Sequence, residues 1–357
     1  MRARRGVILS TDGDDGGLWS LRPLRRALAP VANTPLITLE LQAMIDAGIR
    51  EIGIVSDAGL ARAAGDAVGE TGLDVDLVHI RPPAEAGLAG RLLAAEPFIG
   101  SGPFVAAVTA SLTQHDLGRS VEHLVGNRLD ALVVVANSGT RTPAAILLSG
   151  SEGEGVAGAR RGGDDPFAGA NAFVFGTEIF DAARAAIEAQ AGAPVDVREV
   201  LEVLAEKPGH VQAVHPTGWS KRVDDVEDLL AINRLVLGAL SRAELPGVCA
   251  GNRMMGPMVV DETATIETSV LNGPVAIAAD AYITDSYVGP YTAIGARARV
   301  DGAEIERSVV LPDASISSVG FRIEGSVIGE SARITRDFAP PRAVRLWVGQ
   351  DARVSLA

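Results

Sequence analysis

Asp12, Asp14 and Asp15 are the first residues of the chain whose types and spacing could do chemistry. They lie in a loop that reads Asp12-Gly13-Asp14-Asp15-Gly16. A D-x-D-D spacing can gather carboxylate oxygens around a hard cation such as Mg²⁺ or Ca²⁺. A solvated acidic turn is the simpler reading, and the sequence leaves both open. A cationic counterpart, Arg160-Arg161, falls in the Gly-, Glu- and Arg-rich stretch 150–163, which reads as an exposed hairpin tip or loop. Two adjacent guanidiniums suit a phosphate. His115 and Asp116 form a third pair, but they open a helical segment, where aspartate commonly caps the first turn. Cys249 is the single cysteine, so no internal disulfide and no cysteine-based metal site is expected.

The elements that must position these groups alternate. Val7–Leu9, Glu51–Val55, Val75–Ile80, Phe104–Thr109 and Ala131–Val135 read as strands. Leu36–Ala47, Leu60–Val68, Ala89–Ala95 and Leu117–Val125 read as the helices between them. Such alternation implies parallel crossovers and a central, doubly wound α/β sheet covered on both faces. Ligands of such sheets bind at the carboxyl ends of the strands, which singles out the loops after Leu9, Ile80 and Thr109. Thr177–Ala189, Asp196–Ala205 and Val223–Leu237 are further predicted helices.

After Ser241 the pattern changes. Branched apolar residues recur every 17 positions, as Val260/Ile277/Ile294, Ile266/Ile283/Val300 and Leu271/Val288/Ile305. Steps of six, five and six place one inward residue on each short strand and three strands in each coil. That predicts a parallel β-helix built from imperfect hexapeptides. Leu311, Ile328 and Ile334 extend the ladder less regularly, and Phe338–Ala357 reads as a cap. None of the five histidines (His79, His115, His123, His210, His215) falls in the repeat. A hexapeptide acyltransferase, which needs a histidine facing the acyl donor, is therefore disfavoured.

Composition bounds the partners. The formal net charge of −13 over 357 residues opposes nucleic acid. No run approaches the roughly 20 apolar residues of a membrane span, and no apolar leader follows the basic start, so a cytoplasmic location is expected.

Residues 6–37, GVILSTDGDDGGLWSLRPLRRALAPVANTPLI, carry a resemblance. From the strand at Val7–Leu9 to Pro30-Val31-Ala32-Asn33 they resemble, without a gap, the opening of the sugar-1-phosphate nucleotidyltransferases. The similarity is to the long form of glucose-1-phosphate thymidylyltransferase, with its G-x-G-T-R loop and P-K-x-L-x-P segment. Ser286-Tyr287-Val288-Gly289-Pro290-Tyr291 resembles the tail of that long form, so the likeness spans nearly the whole chain. It implies a nucleotidyltransferase-like Rossmann-type domain with a mostly parallel sheet over 1–240. A left-handed parallel β-helix of hexapeptide type, with its cap, would follow over 241–357.

The resemblance also assigns positions. The loop arginine falls on Gly16 and the signature lysine on Arg26. The first metal aspartate, from a G-D-N motif, falls on Ala110 in Thr109-Ala110-Ser111. The second, from G-W-x-x-D-T-G, falls on Arg222 in Gly218-Trp219-Ser220-Lys221-Arg222-Val223-Asp224. The base-reading glutamine falls on Pro82, and the sugar-holding E-K-P motif near Ala159–Gly163. Gly87-Leu88-Ala89 keeps the next loop's G-L-A, and Asn171 and Gly176 match the strand beside the sugar. Candidate ligand-binding residues are thus Arg26, Gly87, Asn171 and Gly176.

Nucleotidyl transfer needs cations on the triphosphate, a carboxylate-held metal and a cation on the attacking phosphate. With those positions replaced, the expectation is a catalytically degenerate homologue, acting as a regulatory, sensor or scaffold subunit. Its ligands would be a nucleotide, a sugar phosphate or an NDP-sugar, and it would assemble with itself or with an active relative. No cofactor is expected. The alternative is an active transferase with Mg²⁺ on Asp12, Asp14 and Asp15 and with Arg26 and Arg222 on phosphate.

Overall fold

The structure, a computed structural model, describes residues 5–11, 25–83, 87–135, 170–190, 193–206, 210–241, 243–244 and 251–336. The acidic loop with Asp12, Asp14, Asp15 and Gly16, the stretch 150–163, Cys249 and the segment Phe338–Ala357 lie outside the described residues.

Val-, Ile- and Leu-rich runs form the expected strands: β1 (Arg5–Leu9), β4 (Glu51–Val55), β6 (Phe104–Val108) and β8 (Ala131–Val135). Their near-continuous burial is what a sheet covered on both faces demands. A small hairpin, β2 (Pro30–Val31) and β3 (Thr34–Pro35), leads into α1 (Leu36–Asp46). Next come α2 (Ala58–Thr71), β5 (Asp76–Ile80), α3 (Leu88–Ile99), β7 (Ser111–Thr113) and α4 (Leu117–Asn127). β9 (Ala170–Phe175), α5 (Glu178–Ala189), α6 (Val197–Ala205), β10 (Val211–Val214), β11 (Ser220–Arg222) and α7 (Val226–Gly238) complete this part.

The seven-stranded sheet has the order β10-β8-β9-β6-β1-β4-β5. Every pairing is parallel except those of β9, which runs antiparallel to both β6 and β8. Side chains alternate between the two faces. Val7, Leu9, Phe104 and Ala106 pack with α3, α5 and α6, whereas Ile8 and Val105 pack with α1, α2 and α4. The sparse aromatics are concentrated on the first face, where the Phe104 and Phe180 rings stack 5.5 Å apart. A third apolar cluster sits outside the sheet. It joins Ala29, Val31 and Leu36 to Ala110, Leu112 and Val223, and to Leu229 and Ile232 of α7.

The C-terminal part is a parallel β-helix, with short strands stacked into three ladders. Val260, Ile277 and Ile294 pair in register, as do Ile266, Ile283 and Val300, and Leu271, Val288 and Ile305. All nine are buried. The continuation corrects one expectation. The first ladder passes from Ile294 to Val310 and Ile328, not through Leu311, and the second passes through Ile316 to Ile334. One residue fewer between Ile305 and Val310, at the end of the third coil, causes the shift. The surplus residues appear later, around Ser318–Phe321, and carry Phe321 to the surface at 83% exposure.

The two parts meet through Asn233 of α7, which is fully buried. Its Oδ1 accepts from Ala32 N at 2.8 Å and its Nδ2 donates to Tyr291 O at 3.1 Å. One amide thus ties the β2–β3 turn to the β-helix.

Candidate functional site

β1, β4 and β6 end together. Ser10 N donates to Val55 O, and Thr109 N donates to Leu9 O, each at 3.0 Å. Two short elements close over this edge. A 3-10 turn, Arg26–Leu28, precedes the β2–β3 hairpin. β11 runs antiparallel to β7, with Arg222 opposite Ser111. Val223 N donates to Ala110 O at 2.7 Å, so β11 is clamped to the turn that follows β6.

Arg26 and Arg222, far apart in sequence, converge here on one carboxylate. Arg26 donates from a terminal guanidinium nitrogen to Asp224 Oδ1 at 3.3 Å. Arg222 Nε stands 3.0 Å from the same oxygen, but its N–H is not aimed there. Arg26 Nε is also buried with no hydrogen-bond partner. Asp224 is itself tied down: its N–H donates to Asp228 at 3.1 Å, and Asp228 pairs with Lys221 at 2.6 Å. Burial opposes ionisation of Asp228, but Lys221 and the amides of Asp224 and Asp225 outweigh it and hold the carboxyl below its usual range. The Lys221–Asp228 pair is neutral. Among the described residues, the two guanidiniums share one carboxylate, so that trio carries one net positive charge.

Ala110 has φ +61° and is 3% exposed. Its methyl belongs to the apolar cluster of Ala29, Val31, Leu36 and Val223. The side chain offers no oxygen to a metal, and the backbone carbonyl is taken up by Val223 N. Arg222, at the other position where a metal ligand was expected, repels a cation. The donor set among the described residues therefore does not fit a divalent metal, and no group of three or more acidic, histidine or cysteine side chains is gathered among them.

The other candidates fall in different places. Gly87 precedes α3, and a Cβ there would lie 2.4 Å from Val195 O, so glycine is required by the passing chain. Asn171 starts β9 beside the carboxyl end of β6, but it is 2% exposed and faces the interior toward α1. Gly176 follows the far end of β9. Because β9 is antiparallel, Phe175 pairs with Phe104 at the opening of β6, and the structure does not bring Gly176 to the same edge. Pro82 lies just past β5. Asp116 caps α4, accepting from Arg119 N at 2.9 Å. His115 bonds Ser120 Oγ at 2.7 Å and accepts from Thr217 N at 3.3 Å. Burial depresses its pKa despite the adjacent Asp116, so it serves as a neutral strut between α4 and the 217–219 turn.

Two contributors were missed from the sequence. Asp224, two residues after Arg222, is the shared anchor, and only its adjacency to the motif could have pointed to it. Arg91, 6% exposed on α3, donates to Ser10 Oγ at 2.7 Å, just past β1. A lone arginine on an apolar helix gave no signal of where it would reach.

No family model matches the chain. Individual proteins do. The chain is 30% identical over 358 residues to a glucose-1-phosphate thymidylyltransferase of Streptomyces antibioticus, covering 94% of this chain and 96% of that protein. It is 29% identical to a glucose-1-phosphate thymidylyltransferase of Streptomyces griseus, with the same coverage. To the low-salt glycan biosynthesis nucleotidyltransferase Agl11 of Haloferax volcanii it is 29% identical, over 99% of this chain and all of that one. No helix among the described residues is long and apolar enough to cross a membrane. With end-to-end similarity of this kind joined to a doubly wound sheet and a β-helical tail, the chain belongs to the sugar-1-phosphate nucleotidyltransferase family.

Proposed function

We propose that this chain is a non-catalytic member of its family that binds a phosphate-bearing ligand at Arg26 and Arg222 without a metal. The ligand class is a nucleotide, a sugar phosphate or an NDP-sugar, by analogy with the substrates in the relatives' names. The role that follows is that of a regulatory, sensor or scaffold subunit, assembled with itself or with an active relative. The observation that carries this reading is the sharing of one carboxylate, Asp224, by two guanidiniums that have buried, unpartnered Nε atoms. A phosphate supplies the missing acceptors, and guanidinium is the side chain that meets it with paired hydrogen bonds. Catalysis is disfavoured by the same residues. In-line transfer needs charge neutralised on the α-phosphate, and removing a single electrostatic contact of that kind costs on the order of 10²–10³ in rate. Here Ala110 and Arg222 stand at two such positions.

The test is release of pyrophosphate from dTTP and glucose 1-phosphate in the presence of Mg²⁺. No release above the protein-free rate is expected. Turnover of about 1 s⁻¹ or faster, within the ordinary enzyme range, would reject the non-catalytic reading and favour a metal held by Asp12, Asp14 and Asp15.

A further inference from the structure

The interior behind the Ala110 turn holds a carboxyl group that the phosphate reading does not use. Glu40, on α1, is 3% exposed. Its Oε1 accepts from Ser111 N at 3.0 Å, and the Ala110 amide also bonds this carboxyl. Oε2 is buried and meets no protein partner. Across from it, Asn171 Nδ2 on β9 is likewise buried without a partner. Both side chains line one partly open cavity of about 20 Å³ bordered by α1, β6, β7, α4 and β9.

Native interiors rarely leave two polar groups lining one pocket unmet. A cavity of roughly 10–15 Å³ holds one water, which needs at least two polar partners. The size and the two partners both match. The remaining wall is largely apolar, with Ala43, Met44, Leu112 and Leu117, so a larger polar ligand finds neither room nor contacts. A cation would face the N–H donors of Asn171, which select against it.

We propose that this cavity is a binding site for a single water molecule. The water bridges Glu40 Oε2 and Asn171 Nδ2, bracing the Ala110–Ser111 turn against α1 and β9. Ser111 is the register partner of Arg222, and Ala110 O receives Val223 N. The brace therefore lies behind the strand that carries Arg222. The proposal holds whether or not a phosphate binds in front of it.

A crystal structure at about 1.8 Å or better would display an ordered water, and hydrogen exchange would measure what it does. The expected result is one density peak within hydrogen-bond distance of both atoms. In Asn171→Val, exchange at the Ser111 amide should quicken by about tenfold, the size of one lost hydrogen bond. The amide of Ile283, in the β-helix, should be unaffected and so report that the variant is folded. Glu40→Gln, which keeps an acceptor for Ser111 N and a donor for water, should retain the peak. A dry cavity, a direct Glu40–Asn171 hydrogen bond with the amide turned round, or unchanged Ser111 exchange in Asn171→Val would overturn the proposal.

Discussion

Arg222 reverses the charge expected at its position, and Asp224 keeps the reversal tolerable. Asp224 is 55% exposed, so its pairs with Arg26 and Arg222 are solvent-screened and contribute little to stability. Binding and folding can therefore be separated at these residues. Arg26→Ala and Arg222→Ala are each expected to weaken a phosphate ligand by at least about tenfold, the lower end for a charge-assisted contact. Their melting temperatures should stay close to wild type. A large melting shift with no ligand effect would mark the arginines as internal ion-pair partners only.

Ala110→Asp tests whether the metal position is merely vacated or absorbed into the core. Aspartate tolerates the left-handed backbone at φ +61°, so any cost is that of the charge. A carboxylate placed among Val31, Leu36 and Val223 without a partner is expected to destabilise by about 3–5 kcal/mol. Urea unfolding measures this. A neutral effect together with acquired Mg²⁺ affinity would contradict the packing argument.

Glu40 carries a clear pH signature among the described residues. Burial pushes its carboxyl well above the usual range, and the amides of Ser111 and Ala110 offset this only in part. No other residue lining its cavity titrates. The charged groups on elements packed against α1 and the cavity are Arg26, then Arg62, Asp66 and Glu70 of α2, and Arg119, Glu122 and His123 of α4. A raised folded value means the proton stabilises the fold fully below the unfolded value of about 4.3 and that this contribution is lost as pH rises through the folded value. Glu40→Gln lacks the loss. Its stability relative to wild type is expected to increase as pH rises above the unfolded value and to level off once the folded carboxyl has ionised, and a difference independent of pH in urea unfolding would refute the assignment.

At the scale of elements, the β-helix was the most legible part. A repeat of 17 residues fixes which side chains point inward, because each coil must stack on the last. The same logic explains the misreading at Leu311: a missing residue shifts the register locally, and Leu311 and Val310 are equally apolar neighbours. Ile283 lies mid-ladder between Ile266 and Val300 and is fully buried. Ile283→Ala is expected to cost about 2–5 kcal/mol, while Phe321→Ser, in the surplus loop at 83% exposure, should stay within about 0.5 kcal/mol. Equal effects in denaturant unfolding would contradict the inward assignment. In the α/β part, apolar runs set strand and helix positions within a few residues. The direction of β9 was not legible, because an isolated apolar run reads the same either way. Gly176 was placed by the resemblance, and the antiparallel course of β9 carries it to the other edge.

At the scale of the molecule, burial and backbone pairing hold the edge that carries Arg26 and Arg222. The β11 clamp is held by backbone pairing to β7, and the buried Asn233 ties α7 to Tyr291. The charges at the edge do not follow from burial, so Ala110 and Arg222 stand out only against the family's motifs, and Asp224, which Arg26 and Arg222 share, only in three dimensions. On the proposed reading, two guanidiniums do what a metal ion would otherwise do at this edge. Calorimetric titration of the wild-type chain with dTTP, glucose 1-phosphate and dTDP-glucose, first in EDTA and then in Mg²⁺, tests it directly. At least one of these ligands is expected to bind in EDTA with a dissociation constant that Mg²⁺ does not improve. Binding that occurs only with Mg²⁺, or none by any of the three, would contradict it.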